Sequence, residues 1–224
     1  MSVLVVGDVH GCYKTLQKLL EDFPSHRICM VGDLIDRGPQ SLDVVQFVID
    51  NQDRIKCVRG NHEEMMIRAN RNARFGDVSQ WLQNGGDIVS EAYEARPELL
   101  EPHLQFMEGL PYYIKFEDLK DEEGRYLIVS HSVIIDKDLE YCINNQSIIW
   151  GRRFPQGDVS KGEWFNIFGH TPVEAPNLTP WYCNIDTGAV YDGFETTSGG
   201  TFQGHLTGML WPEMEVVMQK NVDR

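Results

Sequence analysis

No run in this chain approaches the ~18 consecutive apolar residues that a membrane span needs, so no membrane partner is expected. The opening Met1-to-Val6 stretch is apolar, but it is too short for a signal core and lacks a basic flank. Basic residues are scarce. Lys and Arg number 20 against 34 Asp and Glu, a formal charge of −14, which excludes a nucleic-acid backbone as a bulk partner. The five cysteines (Cys12, Cys29, Cys57, Cys142, Cys183) form an odd set without C-x-x-C spacing. They predict free thiols in a reducing cytosol and hence a cytoplasmic protein. None of them opens a C-x₅-R loop, so a cysteine-nucleophile phosphatase is excluded. His62-Glu63-Glu64-Met65-Met66 begins like a zincin helix, but Met66 stands where the second histidine belongs. Asp186-Thr187-Gly188 occurs once, whereas aspartic proteases pair two such triplets, and it reads as a turn after a strand. No linker, low-complexity tract or fixed repeat divides the 224 residues, which predicts one domain over 1–224 and a monomer.

What is present is a strand–helix alternation. Val3-Leu4-Val5-Val6 is a continuous apolar run, as in a strand buried on both faces. Helical spacing follows over 13–23, a strand over 27–31, a helix around 42–49, a strand over 55–58 and a helix over 61–69. That order predicts a parallel sheet with helices on its faces. Residues 77–111 read as helices at 78–82, 87–95 and 97–107, with Asn84-Gly85-Gly86 as a helix stop. Strands return at 112–116, 126–129, 166–168, 182–185, 201–210 and 215–218. The fold class is α/β with α+β elements, and the two strand-rich halves predict two packed sheets.

Four short motifs follow apolar runs and so belong at strand carboxyl ends, where open α/β sheets bind ligands. They are Gly7-Asp8-Val9-His10-Gly11, Gly32-Asp33-Leu34-Ile35-Asp36-Arg37-Gly38, Arg59-Gly60-Asn61-His62-Glu63 and Phe168-Gly169-His170-Thr171-Pro172. Asp8 and His10, two apart on an extended segment, can face one side. A carboxylate with an imidazole suits Mn²⁺, Fe or Zn²⁺ better than Mg²⁺. Asp33 reaches the same edge, and Asn61 offers a neutral carbonyl oxygen to a second metal and its amide N–H to phosphate. The side chain of His62 diverges from that of Asn61 and is better used as an acid, with Asp36 orienting the ring and favouring its protonated form. Arg37 offers a guanidinium fork for phosphate oxygens, and in Trp150-Gly151-Arg152-Arg153 either arginine could join it.

The series Gly-Asp-x-His-Gly, Gly-Asp-x-x-Asp-Arg-Gly, Gly-Asn-His-Glu resembles the signature of the serine/threonine phosphoprotein phosphatases, within the calcineurin-like metallophosphoesterase superfamily. Stretches 7–13, 31–38, 58–67, 81–86, 149–152, 167–172 and 185–190 extend the similarity over nearly the whole chain, closest to the bacteriophage branch. The resemblance implies a central β-sandwich flanked by helices, with two divalent metals at its carboxyl edge. It implies that Asp33 bridges the metals, that His131 and His170 ligate the second, and that Arg152 rather than Arg153 holds phosphate. Ser130 and Ser132 flank His131 where the family usually carries other residues. The expected activity is hydrolysis of phosphoserine and phosphothreonine, with phosphotyrosine as a further substrate, in protein or peptide substrates by water activated between two metals, Mn first and Fe or Zn next. The alternative on the same scaffold is a symmetrical dinucleoside tetraphosphate hydrolase. Behind both stands a catalytically dead module that only binds phosphoprotein.

Overall fold

The structure is a computed structural model that describes residues 2–196 and 199–223, so Met1, Thr197, Ser198 and Arg224 of the expected 1–224 domain lie outside them. The chain runs β1 (Val3–Val6), α1 (Tyr13–Leu20), β2 (Arg27–Met30), α2 (Ser41–Asp50), β3 (Ile55–Cys57), α3 (Asn61–Arg71), α4 (Phe75–Trp81), α5 (Asp87–Ala95) and α6 (Leu100–Glu108). It continues with β4 (Tyr113–Lys120), β5 (Tyr126–Ser130), α7 (Leu139–Asn144), α8 (Ser147–Trp150), β6 (Trp164–Phe168), β7 (Asn177–Leu178), β8 (Tyr182–Asn184), β9 (His205–Trp211) and β10 (Glu215–Lys220). One sheet has the order β10-β9-β1-β2-β3 and the other β4-β5-β6-β8-β7. Within them β1, β2 and β3 are parallel, as are β5, β6 and β8, while the remaining strands pair antiparallel at the edges.

Alternation along each buried strand assigns its two faces. Val3, Val5, Cys29 and Met209 of the first sheet meet Leu127, Val129, Phe165 and Ile167 of the second between the sheets. Leu4, Val6, Ile28 and Met30 face the other way, against Leu16, Val45, Met66 and Leu104 of the helical layer. Ile128 and Trp164 carry the outer face of the second sheet against Cys142, Ile148 and Ile149 of the two short helices. A helix-covered β-sandwich results. All five cysteines are free and buried. No helix among the described residues is long and apolar enough to cross a membrane.

The structure departs from the sequence expectations in small elements. Helices α7 and α8 are 6 and 4 residues long, and β7 is 2, too short for periodicity to register. The strand expected from residue 201 begins at His205. The expected helix stop at 84–86 is instead a π-helical turn, Leu82–Gly86, joining α4 to α5, with Gly85 at φ 96°.

Candidate active site

Every parallel strand ends at one edge of the sandwich, and the chain beyond each end carries a polar side chain into it. Asp8 and His10 follow β1, Asp33, Asp36 and Arg37 follow β2, and Asn61 and His62 open α3 just after β3. From the second sheet His131 follows β5, His170 follows β6 and Asp186 follows β8. Bonds cross between the sheets here: His131 Nδ1 donates to Val31 O at 2.9 Å, and the His170 N–H reaches the Asp8 carboxylate at 3.1 Å. Among the described residues nine non-glycine residues have positive φ, and five of them, His10, Asp33, Asp36, Arg37 and His170, belong to this edge. Left-handed backbone costs of order 1–3 kcal/mol per residue, so strain is concentrated at this edge.

Two side-chain triplets converge. In one, Asp33 Oδ1 lies 3.3 Å from His131 Nε2, which is 3.1 Å from His170 Nδ1. Asn61 Oδ1 stands 2.9 Å from the former and 2.7 Å from the latter. Since His131 gives its Nδ1 proton to Val31, its Nε2 carries a lone pair aimed at the Asn61 oxygen. Burial holds both His131 and His170 below the usual imidazole range, so each ring is neutral and carries a single N–H. Converging lone pairs on a buried N,O set fit a divalent cation. In the other triplet, Asp33 Oδ2 lies 3.6 Å from His10 Nε2 and 3.8 Å from His62 Nε2. His10 donates Nδ1–H to Ile35 O at 2.7 Å, which again leaves Nε2 unprotonated, with a lone pair that here accepts from Arg37. Asp33 is therefore shared. Burial pushes its carboxyl up, but His131, His62, His10 and His170 outweigh that and hold it well below the carboxylate range. Asp8 joins neither triplet; its carboxylate rests on the His170 N–H, and burial, Asp186 and Asp33 raise its pKa well above the usual range.

The remaining expected residues divide by geometry. His62 Nδ1 donates to Asp36 Oδ2 at 2.6 Å, and Asp36 Oδ1 accepts the Trp81 indole N–H at 3.0 Å. This chain fixes the ring with Nε2 toward Asp33, on the opposite carboxylate oxygen from His131. Arg37 donates to His10 Nε2, and its own N–H is fixed by Gly85 O at 3.0 Å. Arg152 lines a cavity of about 790 Å³ beside His170, whereas Arg153 does not line it. The Arg152 charge also reaches His131, His170 and Asp186.

Four further residues went unassigned by the motifs. Glu63 accepts the N–H groups of Asp33, Leu34 and Gly60. Its position three residues after Gly60, opening a helix, was the available signal, because a Glu at that place reaches back to the cap. Trp81 opens stretch 81–86 of the family resemblance, but no role was read for it there. Asp186 is fully buried, and burial first, then Asp33, pushes its carboxyl up to about 7. Tyr191 stacks under Arg37, with the guanidinium 5.4 Å from its ring centroid.

The calcineurin-like phosphoesterase family model matches residues 1–195. The chain belongs to that family. Along its length it is similar to a bis(5'-nucleosyl)-tetraphosphatase PrpE [asymmetrical] from Halalkalibacterium halodurans, 29% identical, covering 97% of this chain and 93% of the relative. A second such protein, from Anoxybacillus flavithermus, is 29% identical over 95% of this chain and 91% of its own. Among solved structures, one described as a candidate diadenosine tetraphosphatase superposes with TM-score 0.65 at 18% identity, covering 97% of this chain and 92% of the other. A serine/threonine phosphatase from Saccharomyces cerevisiae reaches 0.59 at 14%, covering 100% and 81%, and shows a shared fold alone. The expectation of a protein serine/threonine phosphatase is corrected by these relatives, as is the bacteriophage-branch affinity. The physical reason is that the four motifs build the phosphoester centre, which is common to both enzyme classes.

Proposed function

We propose that this chain hydrolyses bis(5'-nucleosyl) tetraphosphates in a metal-dependent, asymmetrical reaction that yields a nucleoside triphosphate and a nucleoside monophosphate. The observation carrying the proposal is the similarity over nearly the full length of both chains to relatives named for that activity. It replaces the symmetrical cleavage of the sequence-based alternative. Asp8, His10 and Asp33 would hold one ion and Asp33, Asn61, His131 and His170 the other. Mn²⁺ is the first choice for this nitrogen–oxygen set, Fe and Zn²⁺ the next, and such ions supply Lewis acidity and a readily ionised water.

The chain's own residues do the rest. Arg37 and Arg152, with the Asn61 amide, bind nonbridging phosphate oxygens and stabilise the charge that persists through phosphoryl transfer. A water oxygen bonds to phosphorus, the phosphoanhydride oxygen on the opposite side departs, and the water's proton is released to solvent. His62, held by Asp36, is placed to hand a proton to the departing oxygen. That demand is modest, because a leaving phosphate has a pKa of about 6, far below that of a serine alkoxide. All named residues come from one chain, so the reading needs no second copy.

Incubating the protein with diadenosine tetraphosphate and Mn²⁺, then separating the nucleotides, tests the proposal. ATP plus AMP is expected, with no turnover in excess EDTA. Two ADP would make the cleavage symmetrical. No dinucleotide turnover alongside brisk hydrolysis of a phosphoserine peptide would overturn the substrate, and full activity in EDTA would overturn the metals.

A further inference from the structure

The chain leaving Asp186 builds an aromatic wall at the mouth of the site. Tyr191 lies with its ring centroid 5.8 Å from those of both Phe194 and Phe202. Phe194 is 57% exposed. A single exposed phenylalanine is ordinary; its position is what gives this one meaning. Tyr191 and Phe194 both line two separate cavities. The larger, about 790 Å³, contains Arg152, with Thr171 and Asn177 on its walls. The smaller, about 520 Å³, contains Arg37, with Gln83 and Asn84. Each cavity therefore holds one of the two arginines, a share of the aromatic wall and side chains able to hydrogen-bond a heterocycle.

We propose that the Tyr191–Phe194 wall partitions the mouth into two nucleoside seats, one for each end of a dinucleoside polyphosphate, with the phosphate bridge crossing the metal edge between Arg37 and Arg152. The inference rests on the proposed function, which requires an anionic bridge carrying a nucleoside at both ends. Each cavity is large enough for a nucleoside and joins the phosphate edge through its own arginine. A planar base stacks on an aromatic face whatever its identity. The wall is therefore a specificity device for two-ended substrates, and the chemistry stays with the metal edge.

The test compares Phe194→Ala with wild type on three substrates: diadenosine tetraphosphate, adenosine 5'-tetraphosphate with one nucleoside, and p-nitrophenyl phosphate with none. The expected result is a KM for the dinucleotide raised on the order of 10- to 100-fold, the scale of losing base stacking. Its kcat/KM relative to that for p-nitrophenyl phosphate should fall by the same factor. The loss should be smaller on the one-ended compound, and Phe194→Tyr should restore the dinucleotide KM. Equal losses on all three substrates at an unchanged Tm would make the wall structural and overturn the inference. Equal losses on the two nucleotides would leave a single seat and overturn the two-ended arrangement. Wild-type inactivity on both nucleotides would instead overturn the proposed function, a separate outcome from either.

Discussion

Glu63 tests how the centre is held together, because its carboxylate ties the loop carrying Asp33 to the start of the helix carrying Asn61 and His62. The side chain is fully buried. Oε2 accepts N–H from Asp33 at 2.9 Å and from Gly60 at 2.8 Å, and Oε1 accepts from Leu34 at 2.8 Å. Glu63→Gln keeps the shape, but a carboxamide has only one acceptor oxygen. In the better orientation two bonds survive and the new NH₂ meets the Leu34 N–H, donor against donor. One buried N–H left unsatisfied costs about 1–3 kcal/mol, and losing charge assistance in the surviving bonds adds about 1 kcal/mol. A penalty of about 2–4 kcal/mol follows for the metal-loaded protein.

The pH dependence in chelator gives the prediction its edge. Burial first, then the Asp33 charge, pushes Glu63 from its ordinary 4.5 up to about 7. A raised acid keeps its proton in the folded state through that window, so its contribution to stability falls as pH rises from 4.5 to 7, by about 3 kcal/mol in all. Glutamine does not titrate. In EDTA the wild-type advantage over Glu63→Gln should therefore be smaller at pH 8 than at pH 5. With Mn²⁺ present, Asp33 is countered by the ions and the penalty should persist at pH 8. Urea unfolding of both proteins, with and without metal at the two pH values, measures all four numbers. Equal stability of variant and wild type with Mn²⁺, or a penalty in EDTA that grows with pH, would refute the reasoning.

Three other outcomes follow from single contacts. A Cβ added at Gly169 would lie 1.9 Å from Asp8 Oδ1 and 2.9 Å from a Val31 methyl, so Gly169→Ala should displace Asp8 and cost on the order of 100-fold in kcat with far-UV circular dichroism unchanged; wild-type turnover would contradict the placement. Trp81→Phe removes the indole N–H from Asp36 and should lower kcat roughly tenfold, less than the ~10²–10⁴-fold expected of an acid such as His62 itself. The loss should be larger on an alkyl phosphate than on p-nitrophenyl phosphate, and equal losses would remove Trp81 from the chain that orients His62. His170 is held down to about 2, first by burial, so it stays neutral in the folded protein while the unfolded chain protonates near 6.5. Its contribution is thus present above 6.5 and lost as pH falls, and chelated wild type should lose more stability from pH 7 to 5 than chelated His170→Asn; parallel curves would deny the shift.

The sequence was informative wherever a motif sat on a strand end. A parallel strand delivers the residue after it to one edge, so apolar runs before Asp8, Asp33, Asn61 and His170 pointed those side chains to one edge without knowledge of packing, whereas His131 came mainly from the family resemblance. Glu63 and Trp81 were harder to read, because each acts on groups distant in sequence: Glu63 on Asp33 and Leu34, and Trp81 on Asp36. Such bonds exist only once the helices have docked. Asp186 had a motif-like neighbourhood, but its meaning depends on the buried charge of Asp33 beside it. The short helices α7 and α8 lacked the length for periodicity, although α8 sets Arg152 at the cavity rim.

The substrate was misread for a different reason. Catalytic side chains sit on backbone that the sheets hold rigidly, and a phosphoester bond demands the same metals and guanidinium groups whether it belongs to a protein or a nucleotide. What tells the two apart touches the rest of the substrate. In the proposed reading that surface is Thr171 to Asn177 together with Tyr191, Phe194 and Phe202, which line one cavity. Apart from Thr171 and Pro172, which close the fourth motif, neither segment carries a motif, because stacking and cavity shape place few constraints on residue identity. Arg37 spans the division, since one face of its guanidinium meets Tyr191 while Nη1 reaches His10. A change in the aromatic wall can therefore reach the phosphate clamp through a single stacked side chain, which is how substrate preference could shift on this scaffold while every metal-ligating residue stays in place.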